Sequence, residues 1–275
     1  NKAMKTLLNN VIDIAFSAGE TALKYYGDTS FTKKDDDSPL TKADIESNRI
    51  ITNNLRGISS FKINSEEDVL DYCKRANEEY LWLIDPLDGT KDFISKNNEW
   101  TINIALLKYD TPILGVVYAP ALKKMYFATH KNGAYLLEDS NNIYNAKKID
   151  SYNDTSEIIA LDSRFHSTKN VDNFIKKYKL TKHTLGSSLK ICSIAEGKAD
   201  IYPRFNGTKE WDTAASDIIL RESGGIMLDF TTKKQLLYNK QNIKNNYFIA
   251  FSKSQINKII YNDFMASKII LDNNA

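Results

Sequence analysis

Leu83-Ile84-Asp85-Pro86-Leu87-Asp88-Gly89-Thr90 is the stretch whose reading decides the fold. Leu81, Trp82, Leu83 and Ile84 form an apolar run of strand character that leads straight into two carboxylates three residues apart. Acids at the end of a buried strand cost desolvation energy unless something positive meets them. An arginine or lysine, a helix N-terminus or a metal ion would serve. Gly89 lets backbone approach a ligand closely, and free N–H groups of Gly89 and Thr90 at a helix start suit a phosphate. The plainer alternative is that Asp88 caps a helix and Asp85 ends a strand, since aspartate is common at both places.

On the N-terminal side, Leu7, Val11, Ile14, Ala15, Ala18, Ala22 and Tyr26 keep a helical period up to Gly27. A polar, turn-rich loop follows over 28–38. A second helix is predicted from Thr41 to Leu55, then a short strand from Phe61 to Asn64 that ends at Ser65-Glu66-Glu67-Asp68. On the C-terminal side the pattern turns to β. Trp100–Leu107, Ile113–Tyr118, Lys124–Ala128 and Ala134–Leu137 read as an antiparallel meander. After residue 150 the style is α/β. Strands are expected at Ile158–Leu161, Ile226–Leu228 and Tyr247–Phe251. Helices are expected at Lys169–Tyr178, Ser188–Glu196, Asp212–Ser223 and Ser254–Ile270. The polar junction at 145–155 is short, so two closely packed halves, 1–150 and 151–275, are expected.

Composition narrows the function classes. With 42% hydrophobic and 26% charged residues the chain is an ordinary globular one. Its 37 basic and 35 acidic residues leave a net charge of +2, without a basic block, so long nucleic acid is not an expected partner. Cys73 and Cys192 lie far apart, and His130, His166 and His183 are dispersed. That excludes a disulfide framework and a Cys/His zinc site, and it suits a reducing, cytoplasmic setting. No apolar run is long enough to span a membrane, and no signal peptide is expected. Peripheral association with the inner membrane stays open, as do monomer and homodimer.

Other acids fall at expected element ends: Asp44, Glu66 and Asp212. Hard divalent cations such as Mg²⁺ take oxygen ligands, so acids at loop–helix junctions suit that chemistry. Each has a simpler reading. Thr41-Lys42-Ala43-Asp44 has capping-box spacing, Glu66 suits a surface loop, and Asp212 suits a helix N-cap. Gly186-Ser187-Ser188-Leu189-Lys190 fits either a polar turn before a helix or an anion cradle. The Asp-x-Asp-Gly-Thr signature of the haloacid-dehalogenase phosphatases, with its phosphorylated first Asp, does not fit, because Pro86 stands two residues before Asp88.

Taken in order, Glu66, Asp85-Pro-Leu-Asp88-Gly-Thr90 and Trp211-Asp212 resemble the Mg²⁺-dependent, lithium-sensitive phosphatases of the inositol monophosphatase superfamily. The likeness runs from about Thr6 to Phe251. Ser38-Pro-Leu-Thr-Lys-Ala-Asp44, Gly186-Ser-Ser-Leu-Lys190 and the run Ala195–Arg204 are similar to its bacterial CysQ-type 3'(2'),5'-bisphosphate nucleotidase branch. The stretch Phe205–Asp212 departs slightly from that branch. The resemblance implies a layered α/β/α/β/α sandwich. It implies hydrolysis of 3'-phosphoadenosine 5'-phosphate to AMP and phosphate, which recycles a by-product of sulfate assimilation. It implies two or three Mg²⁺ ions on Glu66, Asp85, Asp88, Asp212 and the Leu87 carbonyl, with Asp44 and Thr90 activating water. Substrate contacts are expected from Gly89, Thr90, Gly186, Ser187, Ser188, Lys190, Arg204 and Asp212. Lys190 on a predicted helix equally suits a solvated surface lysine. The rivals are inositol monophosphatase or fructose-1,6-bisphosphatase activity on the same scaffold, and a non-catalytic binding protein.

Overall fold

A computed structural model describes residues 1–273. Helix α1 (Lys2–Leu23) turns Leu8, Val11, Ile12, Ile14, Ala15 and Ala18 inward, as the helical period requires. Strands β1 (Thr32–Lys33) and β2 (Pro39–Leu40) form a small antiparallel hairpin. Helix α2 (Lys42–Ile58) starts at a capping box: Thr41 accepts from the Asp44 N–H, and the Asp44 carboxylate accepts from the Thr41 N–H. Next come β3 (Lys62–Ser65), α3 (Tyr72–Arg75), β4 (Tyr80–Asp88) and α4 (Thr90–Ser95). The expected meander follows as β5 (Thr101–Lys108), β6 (Thr111–Ala119), β7 (Lys124–Thr129) and β8 (Ala134–Glu138), extended by β9 (Lys147–Ile149). The rest of the chain comprises β10 (Ile159–Ser163), α5 (Lys169–Lys177), β11 (Thr181–Leu185), α6 (Leu189–Ala195), β12 (Ile201–Arg204), α7 (Glu210–Glu222), β13 (Ile226–Asp229), β14 (Phe248–Phe251) and α8 (Ile259–Met265).

Strands β3 to β9 form one seven-stranded sheet in chain order, antiparallel except for the parallel pair β3–β4. A second, five-stranded sheet has the order β11-β10-β12-β14-β13, with β11, β10 and β12 parallel. Alternation along β4 sends Trp82 and Ile84 into a core with α1 and α2, and Leu81 and Leu83 into a core with α6 and α7. Met227, Phe248 and Ala250 bring the second sheet onto that same middle core. Its outer face packs Ile201, Leu228 and Ile249 against Phe174, Ile260 and Phe264 of α5 and α8. The layers are therefore α/β/α/β/α, as the resemblance implies.

Two local expectations need correction, and one strand escapes the sequence. The strand that contains the apolar run 81–84 continues to Asp88 through a register shift between Asp85 and Asp88. The last helix is not continuous over Ser254–Ile270. A 3-10 turn at Lys253–Gln255 stops at Asn257, whose φ of 66° is left-handed, and α8 covers only Ile259–Met265. Strand β12 has no clear sequence signal because Pro203 sits in it. Proline is tolerated there because pairing to β10 is limited to Ala160 opposite Ile201.

Candidate active site

The register shift in β4 arranges the two central acids. Asp85 stands opposite Asn103 and Asp88 opposite Thr101, so three steps on β4 match two on β5. In an unbroken strand, residues three apart point to opposite faces. The extra residue puts both acids on the face of Thr101 and Asn103, the face that turns to α6 and α7. Strand β3 ends beside them and delivers Glu66, whose N–H donates to the Ile84 carbonyl at 3.1 Å. The first turn of α7 delivers Asp212, whose Oδ2 accepts from the Lys209 N–H at 2.8 Å. It is the third residue of the helix rather than its N-cap, so one carboxylate both ends the helix and faces the site.

Glu66, Asp85 and Asp212 each offer a carboxylate oxygen within 4.8 Å of the others. Asp88 lies outside that group, with its Oδ2 accepting from the Ser188 N–H at 2.8 Å. Burial raises all three of Glu66, Asp85 and Asp88, and neighbouring carboxylates add to it: Glu66 goes up to about 7, Asp85 and Asp88 well above the ordinary range. Asp85 Oδ1 accepts from the Leu87 N–H, whereas its fully enclosed Oδ2 has no hydrogen-bond partner among the described residues. A buried, partnerless carboxylate oxygen beside two other carboxylates fits a hard divalent cation.

Asp44 approaches from α2 and is buried, which raises its carboxyl against the hydrogen bonds that lower it. Thr41 Oγ1 donates to its Oδ2 at 2.5 Å, and Thr90 Oγ1 donates to its Oδ1 at 2.9 Å. Gly89 caps α4 with φ 84°, a left-handed conformation that favours glycine. Gly89 and Thr90 line one cavity of about 490 Å³ together with Glu66, Asp85, Leu87, Asp88 and Asp212, whereas Asp44 stands behind Thr90 and reaches the cavity only through the Thr90 hydroxyl.

The second half of the chain adds Ser187, Ser188, Lys190, Tyr202 and Arg204 to the cavity lining. Lys190 is not on the surface but 3% exposed, because the first turn of α6 faces the middle of the molecule. Its Nζ donates to the Leu185 carbonyl, and burial together with the Arg204 charge lowers it to about 8. Arg204 donates to Tyr202 Oη and the Gly207 carbonyl, while its buried Nε has no partner among the described residues. Gly186 stands behind the wall. Its N–H donates to Glu99, and a Cβ there would lie 2.5 Å from Asp92 Oδ1. Sequence reasoning missed Lys34, Lys91, Phe165 and His166, all of which line the cavity. They belong to loops or helix starts with no periodic signal. Burial and the charges of Arg204, Lys91 and Lys190 lower His166 to about 4, so its ring is neutral near pH 7.

The inositol monophosphatase family model matches residues 3–264. The 3'(2'),5'-bisphosphate nucleotidase CysQ of Buchnera aphidicola is 39% identical over 84% of this chain and 87% of its own length. The enzyme of the same name from Salmonella typhimurium is 37% identical over 84% and 96%. The crystal structure of CysQ from Bacteroides thetaiotaomicron superposes with a TM-score of 0.83, at 38% identity over 92% of this chain and 99% of that one. An inositol monophosphatase from Anabaena, 24% identical, shares the fold with a TM-score of 0.74 over 96% of each chain.

Proposed function

Because the chain belongs to the inositol monophosphatase family, we propose that it is a Mg²⁺-dependent phosphomonoesterase acting on 3'-phosphoadenosine 5'-phosphate, releasing AMP and phosphate. The observation that carries the reading is the cavity's mixed lining. Clustered carboxylates with an orphaned Asp85 oxygen and the buried cations Lys190 and Arg204 line the same cavity. A substrate with two phosphates uses both: one phosphate is cleaved at the acids and the other is held by the cations. The names of the CysQ relatives favour the same substrate class.

Glu66, Asp85, Asp88 and Asp212, with the Leu87 carbonyl, would hold two or three Mg²⁺ ions. Held there, they would supply charge for the phosphoryl oxygens and the leaving ribose oxygen and would make water more acidic, which this slow hydrolysis requires. Thr90 donates its own proton to Asp44 Oδ1, which leaves its oxygen lone pairs to accept from the attacking water. As the water attacks, its proton passes to Thr90 Oγ1 while the Thr90 proton passes to Asp44, whose carboxylate, kept above the ordinary range by burial, is the general base. The Gly89 and Thr90 N–H groups bind the transferred phosphoryl group. Ser187 and Ser188 line the cavity beside Asp88, and Lys190 and Arg204 hold the remaining phosphate through charge-assisted hydrogen bonds. The half 1–150 would then supply most of the cation ligands, and the half 151–275 the substrate contacts together with Asp212.

Phosphate release from 3'-phosphoadenosine 5'-phosphate and from inositol 1-phosphate, measured in parallel with Mg²⁺, with EDTA and with added Li⁺, tests this. Mg²⁺-dependent, Li⁺-sensitive release from the nucleotide is expected. Preference for the inositol ester would keep the cation site and overturn the substrate, and no release from either would overturn the enzyme.

A further inference from the structure

The bulge that aligns Asp85 with Asp88 needs an anchor. Pro86 and Leu87 are skipped by the ladder to β5, and residues in a bulge lose their regular partners. Pro86 has no N–H to fix it, and the Leu87 N–H turns back to Asp85 within the same segment. The hold from outside comes from α2. Ser47 Oγ donates to the Pro86 carbonyl at 2.7 Å, and Ser47 is completely buried. Ser47 lies one helical turn after Asp44, on the same face. Helix α2 thus grips the segment at two points, Pro86 through Ser47 and Thr90 through Asp44.

We infer that Ser47 is a positioning residue: its bond to the Pro86 carbonyl sets the bulge that brings Asp85 and Asp88 to one face for cation binding. The inference rests on the cation-dependent reading above. A buried hydroxyl that only satisfied a carbonyl would matter for stability alone. Here the carbonyl belongs to the peptide between the two acids, so its movement changes their relative placement.

Mn²⁺ binding to the substrate-free full chain, followed by the electron paramagnetic resonance of free Mn²⁺, separates the two roles. Thermal melts and the Mg²⁺ dependence of phosphate release accompany it. Ser47→Ala is expected to weaken Mn²⁺ binding about 10-fold or more, as for groups that orient metal ligands, and to raise the half-activating Mg²⁺ concentration in parallel. Thr52→Ala removes another hydroxyl of α2, one that bonds only to its own helix. It is expected to leave Mn²⁺ affinity unchanged. Ser47→Cys keeps the shape, slightly enlarged, with a weaker donor and should fall between wild type and Ser47→Ala, which also covers an alanine variant that fails to fold. Wild-type affinity in Ser47→Ala or Ser47→Cys, or equal weakening by Thr52→Ala, would overturn the inference. Absence of Mn²⁺ binding by the wild-type chain would instead remove the cation reading, and the inference with it.

Discussion

Without a cation, Glu66, Asp85 and Asp88 repel one another in a poorly solvated pocket, and each carboxyl is raised. An acid raised by folding holds its proton more tightly in the folded chain. Its contribution to stability is present below the ordinary value and is lost as pH rises through the raised one. For Glu66 that window runs from 4.5 to about 7, and Asp85 and Asp88 act in the same direction. His166, lowered from 6.5 to about 4, acts oppositely, adding stability as pH rises between those values. Above 6.5 only the carboxylates of this set still titrate, until Lys190 begins to lose its proton near about 8. The melting temperature in EDTA should therefore fall as pH rises from 6.5, and saturating Mg²⁺ should remove the fall. Melts across that range with and without Mg²⁺ check this; a flat profile in EDTA would contradict the clustered charges. Asp85→Asn removes one of the repelling charges. It should abolish Mg²⁺-dependent turnover while raising the melting temperature in EDTA by about 2–4 °C, the shift that roughly 1 kcal/mol gives in a chain of this order of size. Loss of both activity and stability would show a purely structural role for Asp85.

At the scale of elements, helix α7 has to lie close on the seven-stranded sheet for Asp212 to reach the acids of β4. Gly115 of β6 makes that approach possible. A Cβ there would stand 2.5 Å from the Ala215 carbonyl oxygen and 3.0 Å from the Ala215 Cα, both backbone atoms that cannot turn aside. Gly115→Ala should lift the first turns of α7 from the sheet. The expected cost is about 1–3 kcal/mol, as for overpacked cores, seen as a lower melting temperature. Mg²⁺ activation should weaken as well, although Gly115 does not line the cavity. Lower stability with an unchanged Mg²⁺ requirement would show that Asp212 adapts without α7. A similar fit operates at Gly186, where the missing side chain leaves room for the Asp92 carboxylate.

The whole molecule makes the cavity by closing two differently built halves on a shared core. Leu81, Leu83 and Ala105 of the first sheet and Tyr202, Phe248 and Ala250 of the second meet around α6 and α7. The acids and the cations thereby come to line a single cavity. Arg204→Ala should raise KM for 3'-phosphoadenosine 5'-phosphate about 10- to 100-fold, the range for losing a charge-assisted hydrogen bond. Its effect on a substrate with a single phosphate should be much smaller. Steady-state kinetics on both substrates test this, and equal losses would place Arg204 in the structural support of the cavity instead. Among the described residues no helix is long and apolar enough to cross a membrane.

Local sequence determined much of this protein. The helical period of α1, the capping box of α2, the alternation of the meander and the run of apolar residues into Asp85 were all legible, because each is a relation between near neighbours in the chain. Residue type and order also pointed to the acids that gather. Tertiary structure alone decided how they gather. The shift between Asp85 and Asp88 is defined by what stands opposite on β5, and no spacing within 83–90 reveals it. Nor does helical position tell that Lys190 points into the molecule, or that His166 lies beside three cations. Burial and charge depend on neighbours distant in sequence. They raise a carboxylate, lower a lysine and keep an imidazole neutral only once the two halves have closed.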